Sequence, residues 1–177
     1  EEQLDTLKKL SKNVHLVFEG KFHISQTYKK DFTIGSTVKL FWEGRAENTE
    51  SLKVIKEAFD MLSDLYKVQL HIVTDLSYYS VFDLYFPKPT TKLVKSIFGD
   101  RFYDNTVARR SQIFVHQWSL ELFSTIIHTC DIAIIPLDKN NPIHSGKSVN
   151  KLLLMWGNGI PTVCSNILSY KTASKEA

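Results

Sequence analysis

Several things are scarce in this sequence, and each scarcity removes a class of explanation. Cysteine occurs only twice, at Cys130 and Cys164, in apolar surroundings at a helix end and in a strand. That argues for buried free thiols in a reducing compartment and against a disulfide framework or a thiolate metal site. There is no Asp-x-Asp triplet and no His/Cys cluster at ligand spacing, so no metal site is expected. No apolar run approaches the roughly 18 residues of a membrane span, and the opening EEQLDTLKKL is not a secretion signal. Charge of one sign is scarce too. The 22 Lys and Arg against 19 Asp and Glu leave a formal net charge of +3, too little for a field that draws a polyanion. Internal repeats and low-complexity tracts are missing, and the chain opens in mid-pattern without an initiator methionine.

What is present is a core-forming alternation. With 177 residues, 43% of them hydrophobic, the chain can bury one good core, and its length suggests one domain. Short apolar runs of the kind buried parallel strands show recur at Val14 to Phe18, Val38 to Trp42, Val68 to Thr74, Ile113 to His116, Ile132 to Ile135 and Thr162 to Cys164. Helical periods lie between them. Asn48 is placed to cap a helix with Leu52, Ile55, Phe59, Leu62 and Tyr66 on one face, Ser119 to cap Leu120 to His128, and Lys92 to Phe98 forms another. The alternation predicts an α/β fold, a parallel sheet with helices on both faces. Residues 76 to 110, broken by Pro87 and Pro89, are the least readable.

The most informative stretch runs from His144 to Val163. Before it, Asp131 to Leu137 reads as a buried strand ending at a proline, and Lys147 to Trp156 reads as a helix. Val149, Leu152, Leu153 and Trp156 make its apolar face, while Lys147, Asn150, Lys151 and Leu154 share another stripe. Free N–H groups and the dipole of the first turn favour a phosphate there, and two lysines one turn apart reinforce them. Gly157, Gly159 and Pro161 stop the helix. At the other strand ends, Gly44 allows close backbone approach and Arg45 can make paired bonds to a diphosphate. His116, Trp118 and Ser119 lie at a strand end, where open α/β sheets hold ligands. The loop Pro136 to Gly146 brings Asp138, His144 and Ser145 over the same edge. Each residue type also has an ordinary role: lysines solvate a helix, Ser148 caps it, arginine follows a tight turn at the surface, tryptophan packs in a core, and Asp138 is a solvated loop acid.

Taken together, KLFWEGR (Lys39 to Arg45), FVHQWSLELFSTIIHTCDIAIIPL and the His144 to Val163 stretch resemble the nucleotide-sugar-binding half of GT-B glycosyltransferases, the retaining family 4 in particular. The Lys-Ser-x-Asn-Lys helix start is similar to bacterial surface-polysaccharide transferases. The likeness spans roughly residues 38 to 170. It implies a Rossmann-like donor-binding domain at 36–177, preceded by a hinge or first elements at 1–35, with the acceptor-binding domain missing and the chain a fragment inactive by itself. It further implies a nucleotide-diphosphate sugar as donor, bound by Gly44, Arg45, Trp118, Asp138, His144, Ser145, Gly146, Lys147, Ser148, Asn150 and Lys151, and no required metal or other cofactor. No catalytic residue is assigned. The implied setting is cytoplasmic, peripheral at the inner membrane in the full-length protein, where the missing domain meets a membrane-associated acceptor.

Other classes compete with this one. Ser145 to Ser148 spells SGKS, the end of a P-loop, but the first glycine of that motif would fall at Asn141 and little chain follows for a later acidic strand. A non-catalytic α/β module could bind a nucleotide or a protein through the same edge. Nucleic-acid binding through Lys88 to Arg110, with Tyr85, Phe86, Phe98, Phe102 and Tyr103, needs a clustered basic face that the near-balanced charge does not promise.

Overall fold

The computed structural model describes residues 8–11, 28–80, 83–102 and 111–176. The strand expected at Val14 to Phe18 lies outside these residues, as do Tyr103 and Arg110 of the nucleic-acid reading. In chain order, β1 (Val38–Glu43) leads through a 3-10 segment (Ala46–Ile55) into α1 (Lys56–Leu65) and β2 (Val68–Thr74). A hairpin of β3 (Ser77–Ser80) and β4 (Asp83–Pro89) precedes α2 (Thr90–Phe98), a short 3-10 turn (Gly99–Phe102) and β5 (Ser111–Gln117). Then come α3 (Leu120–Thr129), β6 (Ile132–Ile135), the single turn α4 (Pro142–Ser145), α5 (Asn150–Gly157), β7 (Thr162–Cys164) and α6 (Leu168–Glu176).

Five strands form one parallel sheet in the order β5-β2-β1-β6-β7. Successive residues of β1 go to opposite faces, and both faces are covered, which is why the strand is apolar throughout its middle. Leu40 and Trp42 join Leu70, Ile72, Leu52, Phe59, Val94 and Phe98 on one side. Phe41 joins Ala133, Ile135, Phe123, Ile127, Leu152 and Met155 on the other. Edge-to-face ring contacts, Phe59 on Phe98 at 5.3 Å and Phe41 on Phe123 at 5.5 Å, mark the centre of each layer. The fold is Rossmann-like: strand order reverses between β1 and β6, where one connection runs over one face and the next over the other.

Several local expectations are corrected. The helix expected after Asn48 starts as 3-10 turns and becomes α-helical only at Lys56. Three residues per turn shift the phase of a 3.6-residue count, so Leu52 and Phe59 are buried while Leu62 and Tyr66 face solvent. The helix expected from Lys147 begins at Asn150, with Val149 at its N-cap and no side-chain cap bond, so Ser148 is not a cap. On that helix Leu152 and Met155 are buried, whereas Leu153 is 49% exposed. In the least readable region, β3 and β4 form an antiparallel pair in which Ser77 pairs with Pro89 and Tyr78 with Lys88. Prolines are tolerated there because both strands of a two-stranded sheet are edges. Phe98, counted among nucleic-acid-facing aromatics, is core, while Tyr85 and Phe86 are exposed.

The end of α5 follows the expected stop. The Ile160 N–H donates to the Met155 carbonyl and the Gly159 N–H to that of Trp156, with Gly159 at φ +70°. That is a Schellman closure, which needs a left-handed residue. A side chain at Gly159 would also meet the Lys29 backbone at 3.1 Å.

Candidate functional site

A cleft of about 300 Å³ opens at the carboxyl ends of β1 and β6, at the strand-order reversal where such sheets hold ligands. Its volume is at the lower end for small-molecule sites. Four stretches of chain supply its walls: Trp42 and Glu43 from β1, Asn48 and Ser51 from the 3-10 segment, Ile135 to Leu137 after β6, and His144 to Leu154 around the start of α5. Tyr170 of α6 completes it.

Backbone ties fix these walls. The Asp131 carboxylate accepts from the Lys39 N–H at 2.8 Å and its own N–H donates to the Lys39 carbonyl, which aligns β6 against β1. Ser165 holds the segment after β6, accepting from the Leu137 N–H at 2.8 Å and donating to the Leu137 carbonyl at 2.9 Å. Ser169 donates to the Lys147 carbonyl at 2.7 Å, anchoring the turn that carries that lysine. Asn141 caps the turn α4 through the Ile143 N–H at 3.0 Å.

The two lysines of the stripe differ in state. Lys151 Nζ donates to the Glu43 carbonyl, lies 3.5 Å from Glu43 Oε2 and sits over the Trp42 ring at 5.3 Å from its centroid. Its side chain is only 28% exposed. Burial lowers its pKa, Glu43 opposes that by attraction and hydrogen bonding, and Lys147 lowers it further by repulsion. Lys151 is therefore a fixed, already paired cation. Lys147 lines the same cleft and forms no ion pair among the described residues. The positive end of the α5 dipole adds to its charge.

His144 lines the cleft with one nitrogen already engaged. Its Nδ1 accepts from the Asp138 N–H at 3.1 Å, so in the neutral ring the proton resides on Nε2, a donor. Gly44 is buried behind the site: a Cβ there would stand 2.8 Å from Trp42 Cη2 and 3.0 Å from Lys151 Nζ. Its glycine is what lets ring and ammonium pack together.

Of the residues expected from sequence, His144, Lys147, Ser148, Asn150 and Lys151 line the cleft and Gly44 backs it. Arg45 does not enter; it is exposed and paired with Glu47 at 3.1 Å, as a surface arginine. Trp118, Asp138, Ser145 and Gly146 also lie outside the lining. Trp118 is 42% exposed beyond the end of β5, with its N–H on the Thr74 carbonyl. Ser145 is turned to the Pro142 carbonyl at 2.9 Å, so SGKS forms the end of a helical turn and an irregular link to α5 and no strand-to-helix phosphate loop. Glu43, Trp42, Ser51 and Tyr170 were not expected. Glu43 had one visible signal, a carboxylate closing an apolar strand.

No His/Cys/Asp/Glu group that could hold a metal occurs among the described residues, and none of their helices is long and apolar enough to cross a membrane. No protein-family model, curated protein or solved structure matches the chain.

Proposed function

We propose that this chain is the donor-binding half of a GT-B glycosyltransferase of the surface-polysaccharide kind, acting on a nucleotide-diphosphate sugar and an acceptor hydroxyl. The observation that carries the reading is the cleft at the strand-order reversal, with Lys147 and the start of α5 on one wall. Sugar transfer from such a donor asks mainly for stabilisation of a departing diphosphate. Lys147, the α5 dipole, Ser148 and the imidazole of His144 supply donors and positive charge, while Lys151, paired with Glu43, fixes the wall behind them. Nothing in this set requires a metal or a protein nucleophile. The reading calls for an acceptor-binding domain opposite the cleft, a cytoplasmic setting and an acceptor reached at the inner membrane by that domain.

A ligand that binds only the native state stabilises it by RT ln(1 + [L]/Kd), about 2.7 kcal/mol at a hundredfold excess over Kd. Millimolar UDP, GDP, CDP and ADP are therefore expected to raise the melting temperature, with one base preferred. Donor sugar with a simple alcohol is expected to give no glycoside, because aligning two reactants needs the second domain. A flat thermal response to every nucleotide would reject the reading, and transfer by the chain alone would reject the half-enzyme part of it.

A further inference from the structure

We infer that Glu43 is the group through which the cleft recognises a pair of neighbouring hydroxyls on a sugar ring, an inference that rests on the donor-binding reading. Glu43 ends β1 and lines the cleft with a side chain 17% exposed. Lys151 holds it from two sides, donating to its backbone carbonyl and standing 3.5 Å from Oε2. The lysine is in turn packed over Trp42, so the carboxylate has a fixed direction. Oε1 makes no hydrogen bond among the described residues. An ionised carboxylate only accepts, and its two oxygens match two O–H donors on adjacent ring carbons.

The surroundings select such a ligand. Apolar surface from Ile135, Pro136 and Leu154 lines the same space and suits the C–H face of a ring. A phosphate is attracted by Lys147, which carries no ion pair among the described residues, and finds no donor in the Glu43 carboxylate, which only accepts. Lys147 is thereby the charge offered to an anion and Glu43 the acceptor offered to hydroxyls. Ribose and hexose both offer vicinal hydroxyls, and the experiment separates them.

Calorimetric titration of the 177-residue protein and of Glu43→Gln would use pyrophosphate, UDP, 2′-deoxy-UDP and UDP-glucose, with the base exchanged for whichever the thermal screen prefers. Glu43→Gln is expected to weaken the ligand carrying the recognised diol about tenfold or more and to leave pyrophosphate within about twofold. If the diol is the ribose, wild type loses the same factor on the 2′-deoxy nucleotide and Glu43→Gln does not distinguish the two. If it is the hexose, the advantage of UDP-glucose over UDP disappears in the variant. Should the lone substitution unfold the protein by leaving Lys151 unpaired, Glu43→Gln with Lys151→Met removes both charges and is read the same way. Equal affinities of variant and wild type for all three nucleotides would overturn the inference, while Lys147-dependent pyrophosphate binding would leave the donor-binding reading standing. Wild type that binds none of the four removes both.

Discussion

At the scale of single residues, the two lysines make different predictions despite sharing a stripe. Lys147→Ala is expected to weaken a nucleoside diphosphate by about 1 to 3 kcal/mol, the worth of a charge-assisted hydrogen bond, and to leave the free nucleoside unchanged in the same titration. Lys151→Met should instead be felt mainly in folding, because it strands the Glu43 carboxylate. Gly44→Ala places a methyl against the Trp42 ring and the Lys151 ammonium, and urea unfolding is expected to show a loss of about 1 to 3 kcal/mol, the cost of overpacking. These residues show how far the sequence could be read. Helical spacing was enough to bring Asn150 and Lys151 of α5 to the cleft, and Lys147 reaches the same space from the segment before the helix. It could not show that Lys151 is neutralised by Glu43, because the partner lies 108 positions away and meets it only through the order of strands in the sheet.

At the scale of elements, β2 and β5 carry a paired titration. Their register sets His71 opposite Phe114 and diagonal to His116 two residues on, with the two imidazole rings nearly parallel and Nδ1 to Nε2 at 3.1 Å, so one ring donates and the other accepts. Burial first, then the charges of His116 and Lys39, bring the His71 pKa down from 6.5 to about 4, and burial lowers that of His116 as well. The native state prefers the neutral ring, so this contribution to stability is full above about pH 6.5 and is lost as the pH falls through about 4. Urea midpoints across that window should fall more steeply for wild type than for His71→Gln; parallel curves would show that the histidine pair does not couple to folding. Five strands and the helices from Leu120 and Lys92 were legible because buried parallel strands are apolar runs and those helices keep one period throughout. The β3–β4 hairpin was not. Its exposed Tyr85 and Phe86 and its two prolines carry no inside-outside alternation to read. Lys147 and Ser148 fell just outside the helix expected to begin with them, since no capping side chain marks its start.

At the scale of the whole molecule, strand order governs when the cleft can exist. β1 pairs early with β2, but its other neighbour, β6, and the lysine that meets Glu43 come from the last third of the chain. Closing so long a loop is slow, though its entropy grows only as the logarithm of length. A growing or truncated chain ending before Asp131 therefore carries β1 with one unpaired apolar edge, the form of strand that recruits other chains. Such a truncation is expected to elute as aggregates in size-exclusion chromatography and to bind no nucleotide, whereas a soluble monomer would show that the β5-β2-β1 half protects its own edge. During synthesis the same geometry makes β1 the strand that waits longest for its second neighbour among the described strands, so the middle of the finished sheet is first the edge most in need of a chaperone.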